Sequence, residues 1–127
     1  DLYDWNLDLL MAALRRGTLH AVKLPVPNDD AVVSTGALFA AIARASSNKV
    51  HAVAMRWTNA RLSPARQIET RTVFDLRGEV AAIANAIASG DAGTTRKLLS
   101  AYHAGRKRMA KAIVEALQEE PGGRADI

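Results

Sequence analysis

The segment Glu79–His103 constrains the fold of this chain more than any other part of the sequence. Apolar side chains recur three and four residues apart between Val80 and Ile87, which is the spacing of one face of an α-helix. Gly90 is suited to end that helix, and Asp91 can accept hydrogen bonds from the free N–H groups at the start of the next one. The pattern predicts two consecutive helices joined by a tight turn.

The composition extends this prediction to the whole chain. Hydrophobic residues make up 49% of the 127 residues but aromatic residues only 5%, and this mixture favours closely packed helices over a β-sandwich or barrel. The length suffices for a single core. We therefore predict an all-α domain, an antiparallel bundle of about five to six helices. The domain is expected to span residues 1–120, with a frayed tail over residues 121–127.

Two patterns concern the helix expected to begin near residue 49. One stripe of this helix consists of Val50, Val53, Trp57 and Arg61. Met55 and Leu62 lie on another stripe, which predicts a helix buried on two sides. The pair Ser63-Pro64 combines an N-cap residue with a proline suited to a first helical turn. It therefore predicts that a separate, polar helix starts there.

Charge, cysteine content and hydropathy argue against several classes of protein. The net charge of +4 is weak for a domain that neutralises many phosphates, so direct contact with nucleic acid is not expected of these residues. The absence of cysteine excludes disulfides, thiolate nucleophiles and zinc-finger sites. No apolar run is long enough to span a membrane and no signal peptide is evident. We expect a cytoplasmic protein without a membrane partner.

The sequence contains no recognisable catalytic machinery. It has no nucleophile elbow, no glycine-rich phosphate loop and no paired carboxylates of the kind that acid–base catalysis uses. The histidines His20, His51 and His103 lack the spacing of a helical metal site. Although His103 follows an inward-facing position, a helix turns by about 100° per residue, so we expect its side chain to point elsewhere. The sequence thus predicts a binding protein rather than an enzyme.

Three segments resemble the FCD effector domain of GntR-type transcription regulators. Leu38–Asn48 reads LFAAIARASSN, and Glu79–Tyr102 carries an alanine-isoleucine pair followed by glycine-aspartate and an aromatic residue. Both are similar to the signature motifs of that domain, in the same order. The opening LYDWNLDLL resembles its first helix, with Asn6 where an arginine is usual. Between the opening segment and Leu38–Asn48, this chain is shorter than members of the family by a couple of helices.

The resemblance implies an effector-binding and dimerisation domain that follows a winged-helix DNA-binding domain upstream of residue 1. In the family, an aspartate and three histidines often hold a divalent metal. Their positions correspond to Thr35, Phe39, Val80 and Tyr102, none of which is a usual metal ligand. We therefore expect no metal and no cofactor, but a small organic effector that is mostly apolar or neutral, with Arg61 able to receive a carboxylate. The expected pocket is lined by Asn6, Thr35, Phe39, Trp57, Arg61, Val80, Asn85 and Tyr102.

The residues leave two alternatives open. In the first, Phe39 and Val80 fill the cavity, and the chain is a dimerisation domain without an effector. In the second, the chain is a stand-alone helical scaffold or protein-interaction module with no upstream domain. In the regulator interpretation, the partners are a small effector, a second copy of the chain and DNA bound through the winged helix. A winged-helix sequence upstream of Asp1 would favour the regulator, and a start codon near Asp1 would favour the scaffold.

Overall fold

The protein is an all-α bundle in the computed structural model, which describes residues 2–16, 19–71 and 74–119. Within these ranges it contains no strand and five α-helices: α1 (Leu2–Arg16), α2 (Ala31–Ala45), α3 (Lys49–Glu69), α4 (Leu76–Ala88) and α5 (Ala92–Glu119). A short 3-10 helix, Leu19–Ala21, precedes the extended connector to α2. The predicted fold class is confirmed. The segment 121–127, expected to be a frayed tail, lies outside the described residues.

Helix α2 packs against α1, α3 and α4. Its side chains Leu38, Phe39 and Ile42 are almost completely inaccessible to solvent. Helix α5 closes the bundle against α1, α3 and α4. The apolar core is completed by residues of every helix, among them Leu10, Met55, Ile83 and Leu99.

Side-chain caps set the starts of α2, α3 and α4. Asp30 accepts hydrogen bonds from the backbone N–H groups at the start of α2, and Asn48 does the same for α3. Asp75 caps α4 through the N–H of Gly78. Each cap satisfies backbone donors that have no partner within the helix, which is why the chain turns into helix at these residues.

The predicted helix start at Ser63-Pro64 is wrong, because α3 continues through Pro64 to Glu69. Proline lacks the N–H that would bond to the carbonyl of Ala60, one turn earlier. Pro64 and Ala60 are both exposed, so water can satisfy that carbonyl. The opposite face of the helix stays buried through Leu62 and Ile68. Packing on that face therefore outweighs the local preference of proline for a helix start.

The predicted break between α4 and α5 is confirmed. Gly90 has a φ of 73°, in the left-handed region that favours glycine. Its N–H donates to the carbonyl of Ile87, and the N–H of Asp91 donates to that of Ala86, which together form a Schellman motif. The Asp91 carboxylate then accepts from the backbone N–H of Thr94 at 2.9 Å and from its hydroxyl at 2.6 Å. These hydrogen bonds hold the pKa of Asp91 below its usual range.

We expect the substitution Asp91→Ala to lower the melting temperature by several degrees, because it removes the N-cap of the longest helix. Glu115→Ala is the matched control, since Glu115 is exposed within the same helix and caps no helix start. Thermal unfolding followed by circular dichroism measures both. Equal melting temperatures for Asp91→Ala and the wild type would contradict this account of the break.

Candidate functional site

An ion-pair network lies inside the bundle around Arg106 of α5. The Arg106 Nε donates to Glu69 Oε1 at 2.9 Å, and its two terminal nitrogens donate to the Glu79 carboxylate at 2.5 and 2.6 Å. The hydroxyl of Tyr3 donates to the other oxygen of Glu69 at 2.7 Å. The network therefore joins α1, α3, α4 and α5. Removing one partner of a buried ion pair typically costs about 3–5 kcal/mol, because it leaves an uncompensated charge.

Two aromatic rings enclose the Arg106 guanidinium. Its central carbon lies 4.0 Å from the ring centroid of Phe74 and 3.8 Å from that of Tyr102. Burial acts to lower the pKa of Arg106, but the hydrogen bonds that it donates to Glu79 and Glu69, together with the charge of Glu69, raise it above its usual value. The group therefore remains charged, and both carboxylates are engaged by this one arginine.

A second buried arginine, Arg66 of α3, lacks such partners. Its Nη1 donates to Asn59 Oδ1 at 2.8 Å, and Asn59 in turn donates to the carbonyl of Gly36 at 3.0 Å. The guanidinium carbon lies 5.3 Å from the ring centroid of Phe39. The Arg66 Nε and Nη2 are buried without any hydrogen-bond partner. These two nitrogens lie on the same edge of the guanidinium, where they form a fork suited to two oxygens.

Asn6 of α1 and two consecutive residues of α5 complete what we term the interior polar cluster: Asn6, Arg66, Tyr102 and His103. The His103 Nδ1 lies 2.7 Å from the carbonyl of Leu99, so Nδ1 carries the proton and Nε2 accepts from Asn6 Nδ2, also at 2.7 Å. Asn6 Oδ1 and the Tyr102 hydroxyl are buried without a partner. The cluster thus contains four unsatisfied polar atoms, counting the two of Arg66.

The members of the cluster surround the ring of Phe39. The Phe39 centroid lies 5.5 Å from that of Tyr102 and 6.0 Å from that of His103. Burial lowers the pKa of His103 to about 4, helped by the charges of Arg66 and Arg106 and opposed by the hydrogen bond to Leu99. Burial also raises the pKa of Tyr102 to about 12, whereas the charge of Arg66 and the closeness of its guanidinium to the Tyr102 hydroxyl oppose this shift. The two groups are therefore near each other, although their geometry falls short of a hydrogen bond. Both groups are therefore neutral at pH 7, and Arg66 is the charged member of the cluster.

The unpaired atoms of this arrangement have the hydrogen-bonding character that a small anion with a donor group would require. Arg66 offers two N–H donors side by side, and the Tyr102 hydroxyl can donate as well. Asn6 Oδ1 can accept a hydrogen bond. Buried polar groups without partners typically cost about 1–3 kcal/mol each, so a molecule that supplied the missing partners would stabilise the fold. A carboxylate with a neighbouring hydroxyl or amino group would satisfy them together.

The structure brings together some of the pocket residues predicted from the sequence. Asn6, Phe39 and Tyr102 meet in the interior polar cluster. Thr35 is fully buried one helical turn before Phe39, but its hydroxyl already donates to the carbonyl of Ala31 at 2.7 Å. Val80 belongs to the apolar core and also lines a different cavity.

The structure does not bring Trp57, Arg61 and Asn85 into the interior polar cluster. Trp57 is 64% exposed, and the side chains of Arg61 and Asn85 are also exposed. The stripe that contains Trp57 and Arg61 faces outward, since α3 is buried on the side of Met55 and Leu62. The expectation of burial on two sides therefore fails. Arg61 instead lies over the Trp57 ring, 5.6 Å from its centroid.

The residues missed by sequence reasoning are Arg66, Glu69, His103 and Arg106. His103 was expected to point away from the interior but is fully buried. Its position could have been inferred from the run Leu99, Tyr102, His103 and Arg106, which has the three- and four-residue spacing of a buried face. Leu62, Arg66 and Glu69 have the same spacing on α3. A buried helix face is usually recognised from apolar residues at this spacing, and here several of the buried positions hold charged or polar side chains instead.

Two surface features lie apart from the interior. An apolar cavity of about 140 Å³ lies between α2 and α4 beneath residues 24–28, with Leu38, Val80 and Ala84 among its lining residues. A groove of about 480 Å³ runs between α1 and α3. The exposed apolar side chains that line this groove form what we term the tryptophan face: Leu2, Trp5, Val50, Val53 and Trp57.

Comparisons with protein-family models, curated proteins and solved structures gave no match. Within the described ranges, no three His, Cys, Asp or Glu side chains are grouped so that they could hold a metal ion. None of the helices in the described part of the chain is long and apolar enough to cross a membrane.

We expect Tyr102→Phe to leave the free energy of unfolding unchanged or to raise it by about 1 kcal/mol, because it removes a buried hydroxyl that has no partner. Tyr3→Phe is the matched comparison. It removes a hydrogen bond to a buried carboxylate and should cost about 1.5–3 kcal/mol. Urea unfolding of the ligand-free protein measures both. If Tyr102→Phe lowers the free energy of unfolding as much as Tyr3→Phe does, the Tyr102 hydroxyl has a hydrogen-bond partner within the folded chain.

The stability of the fold should fall as the pH is lowered from about 6.5 to about 4. In this window the unfolded chain protonates His103, whose ordinary pKa is about 6.5, whereas the folded chain resists protonation down to a pKa of about 4. The full difference corresponds to about 3 kcal/mol. Urea unfolding at several pH values should show a weaker pH dependence in His103→Gln than in the wild type. Identical pH dependence in the two proteins would contradict the burial of a neutral imidazole.

Proposed function

We propose that this chain is the ligand-sensing and dimerisation domain of a GntR-like transcription regulator, and that its ligand binds at the interior polar cluster. The observation that carries the ligand site is the set of buried polar atoms without a hydrogen-bond partner, namely the Arg66 Nε and Nη2, the Tyr102 hydroxyl and the Asn6 Oδ1. The motif resemblance of Leu38–Asn48 and Glu79–Tyr102 supports the family. The domain binds its ligand without converting it, and works in the cytoplasm.

The ligand class follows from the unpaired atoms. Arg66 recognises a carboxylate through two parallel hydrogen bonds. Asn6 Oδ1 requires a donor, so a carboxylic acid with a hydroxyl group fits better than one without. This effector is anionic, unlike the mostly apolar or neutral one expected from the sequence, because Arg66 was not among the predicted pocket residues. No metal ion takes part in this mode of binding.

The regulatory role follows from where the ligand would bind. The interior polar cluster is built from α1, α3 and α5, with Phe39 of α2 at its centre. A ligand that satisfies these groups favours one packing of the helices over others, and a difference in affinity between two packings shifts their populations. In the proposed regulator, this shift changes the relative positions of two winged-helix domains, which lie upstream of residue 1 and contact DNA.

Binding of small carboxylates tests the ligand site. We expect L- or D-lactate to raise the melting temperature more than propionate, and lactamide to have no effect, because lactamide is neutral and propionate lacks the hydroxyl. A ligand at about 100 times its Kd stabilises a protein by about 2.7 kcal/mol. Thermal shift and calorimetric titration measure the effect. A panel of short hydroxy acids extends the comparison to larger ligands of the same class.

Matched variants locate the binding site. Arg66→Gln should abolish the response to lactate, whereas Arg61→Gln should retain it, because Arg61 is exposed on the same helix. Tyr102→Phe should weaken binding without loss of stability, which separates binding from folding. Equal responses of Arg66→Gln and Arg61→Gln, or no response of the wild type to any acid in the panel, would reject the site.

A stand-alone interaction module is the second candidate function, and the exposed tryptophan face favours it. The coding sequence upstream of Asp1 discriminates the two candidates. A winged-helix sequence with a basic recognition helix would support the regulator. A start codon close to Asp1 would support the interaction module.

A further inference from the structure

The tryptophan face is an unusual surface for a bundle of this size. The chain has two tryptophans, and both lie on this face, with exposures of 50% for Trp5 and 64% for Trp57. Val50, Val53 and Leu2 are exposed by 73%, 45% and 36%. Single exposed apolar residues are common, but a contiguous group of large ones marks an interaction surface.

The exposed area matches what one side of a protein interface requires. Complete burial of a tryptophan removes about 150–250 Å² of surface, so the exposed parts of Trp5 and Trp57 together present roughly 200 Å². The three aliphatic side chains bring the apolar area to roughly 400–500 Å². A standard interface buries about 800 Å² per partner, of which somewhat more than half is apolar. The tryptophan face therefore supplies the apolar part of an interface of ordinary size.

The charges around this face indicate what covers it. Its α3 border is basic, with Lys49, Arg56 and Arg61 exposed, whereas Asp8 is exposed on α1 one turn after Trp5. Two copies can meet across a two-fold axis in two ways. In one arrangement, α1 packs against α1 of the second copy and α3 against α3, which brings the two basic α3 borders together. The other sets α1 against α3 of the second copy, so that Asp8 and Arg61 lie on facing borders.

We propose that the tryptophan face is the contact surface of a homodimer in which α1 of each copy packs against α3 of the other. The proposal deepens the dimerisation part of the proposed function and rests on it for the two-fold pairing. The interface has a tryptophan core and a charged rim, the distribution typical of interaction hot spots.

Sedimentation and light scattering of the whole chain, from about 1 to about 100 µM, test the pairing. We expect a dimer whose Kd rises at least about 30-fold in Trp57→Lys, since buried tryptophans are interface hot spots. Val33→Lys is the matched control, because Val33 is a similarly exposed apolar residue at 50% but lies on α2 and does not line this groove. It should leave the Kd unchanged. A monomeric wild type at the highest concentration would overturn the proposal.

Intrinsic fluorescence gives an independent measure, because both tryptophans of the chain lie on the proposed interface. Dilution through the Kd should shift the emission to longer wavelength as the indole rings become hydrated. A dimer that dissociates without any change in emission, or one that is unaffected by Trp57→Lys, would place the interface elsewhere.

A charge exchange tests the arrangement of the two copies. Arg61→Glu and Asp8→Lys should each raise the Kd several-fold, and the double variant should recover most of the loss, because the charges again have opposite signs across the interface. Additive losses in the double variant would overturn the pairing of α1 with α3. The lactate response of Trp57→Lys tests the ligand site independently of the interface. If the monomeric variant still binds lactate, the ligand site does not depend on the proposed dimer.

Discussion

The burial of two guanidinium groups is the constraint on which this bundle depends. Transferring an ion from water to a protein interior costs several kcal/mol unless hydrogen bonds and opposite charges compensate for it. Arg106 meets that requirement with Glu69 and Glu79, and thereby fixes how α3, α4 and α5 lie relative to one another. Arg66 meets it only in part, through Asn59 and the face of Phe39. Arg106, whose charge is fully compensated, therefore holds helices together, whereas Arg66, whose charge is compensated only in part, is a candidate for ligand binding.

The helices could be predicted from the sequence wherever local chemistry decides the outcome. Gly90 and Asp91 determine a turn through their own backbone and side-chain preferences, and the structure confirms it. Pro64 shows the opposite case, because packing of the buried face carries α3 past a residue that usually begins a helix. The periodicity of α3 also showed that Trp57 and Met55 lie on different faces. It did not show which face is buried, since that depends on the neighbouring helices.

The candidate site could be predicted only where its residues are apolar or where the motif resemblance marked them. Asn6, Phe39 and Tyr102 were expected in the interior and lie there, whereas Arg66 and His103 were not expected. Arginine and histidine are usually solvated, so composition alone assigns them to the surface. Their burial becomes apparent from the contacts that compensate for it. Such contacts join residues far apart in the chain, and a single sequence does not reveal them.

The ion-pair network also has a consequence for the order of folding events. The contacts between Tyr3 and Glu69 and between Glu69 and Arg106 span 66 and 37 residues of chain. By contrast, α4 and α5 are joined by a turn that forms from neighbouring residues. Distant contacts require closure of long loops, so they tend to form after local ones. The network would then be absent when the chain crosses its folding barrier, and its strength would slow unfolding rather than speed folding.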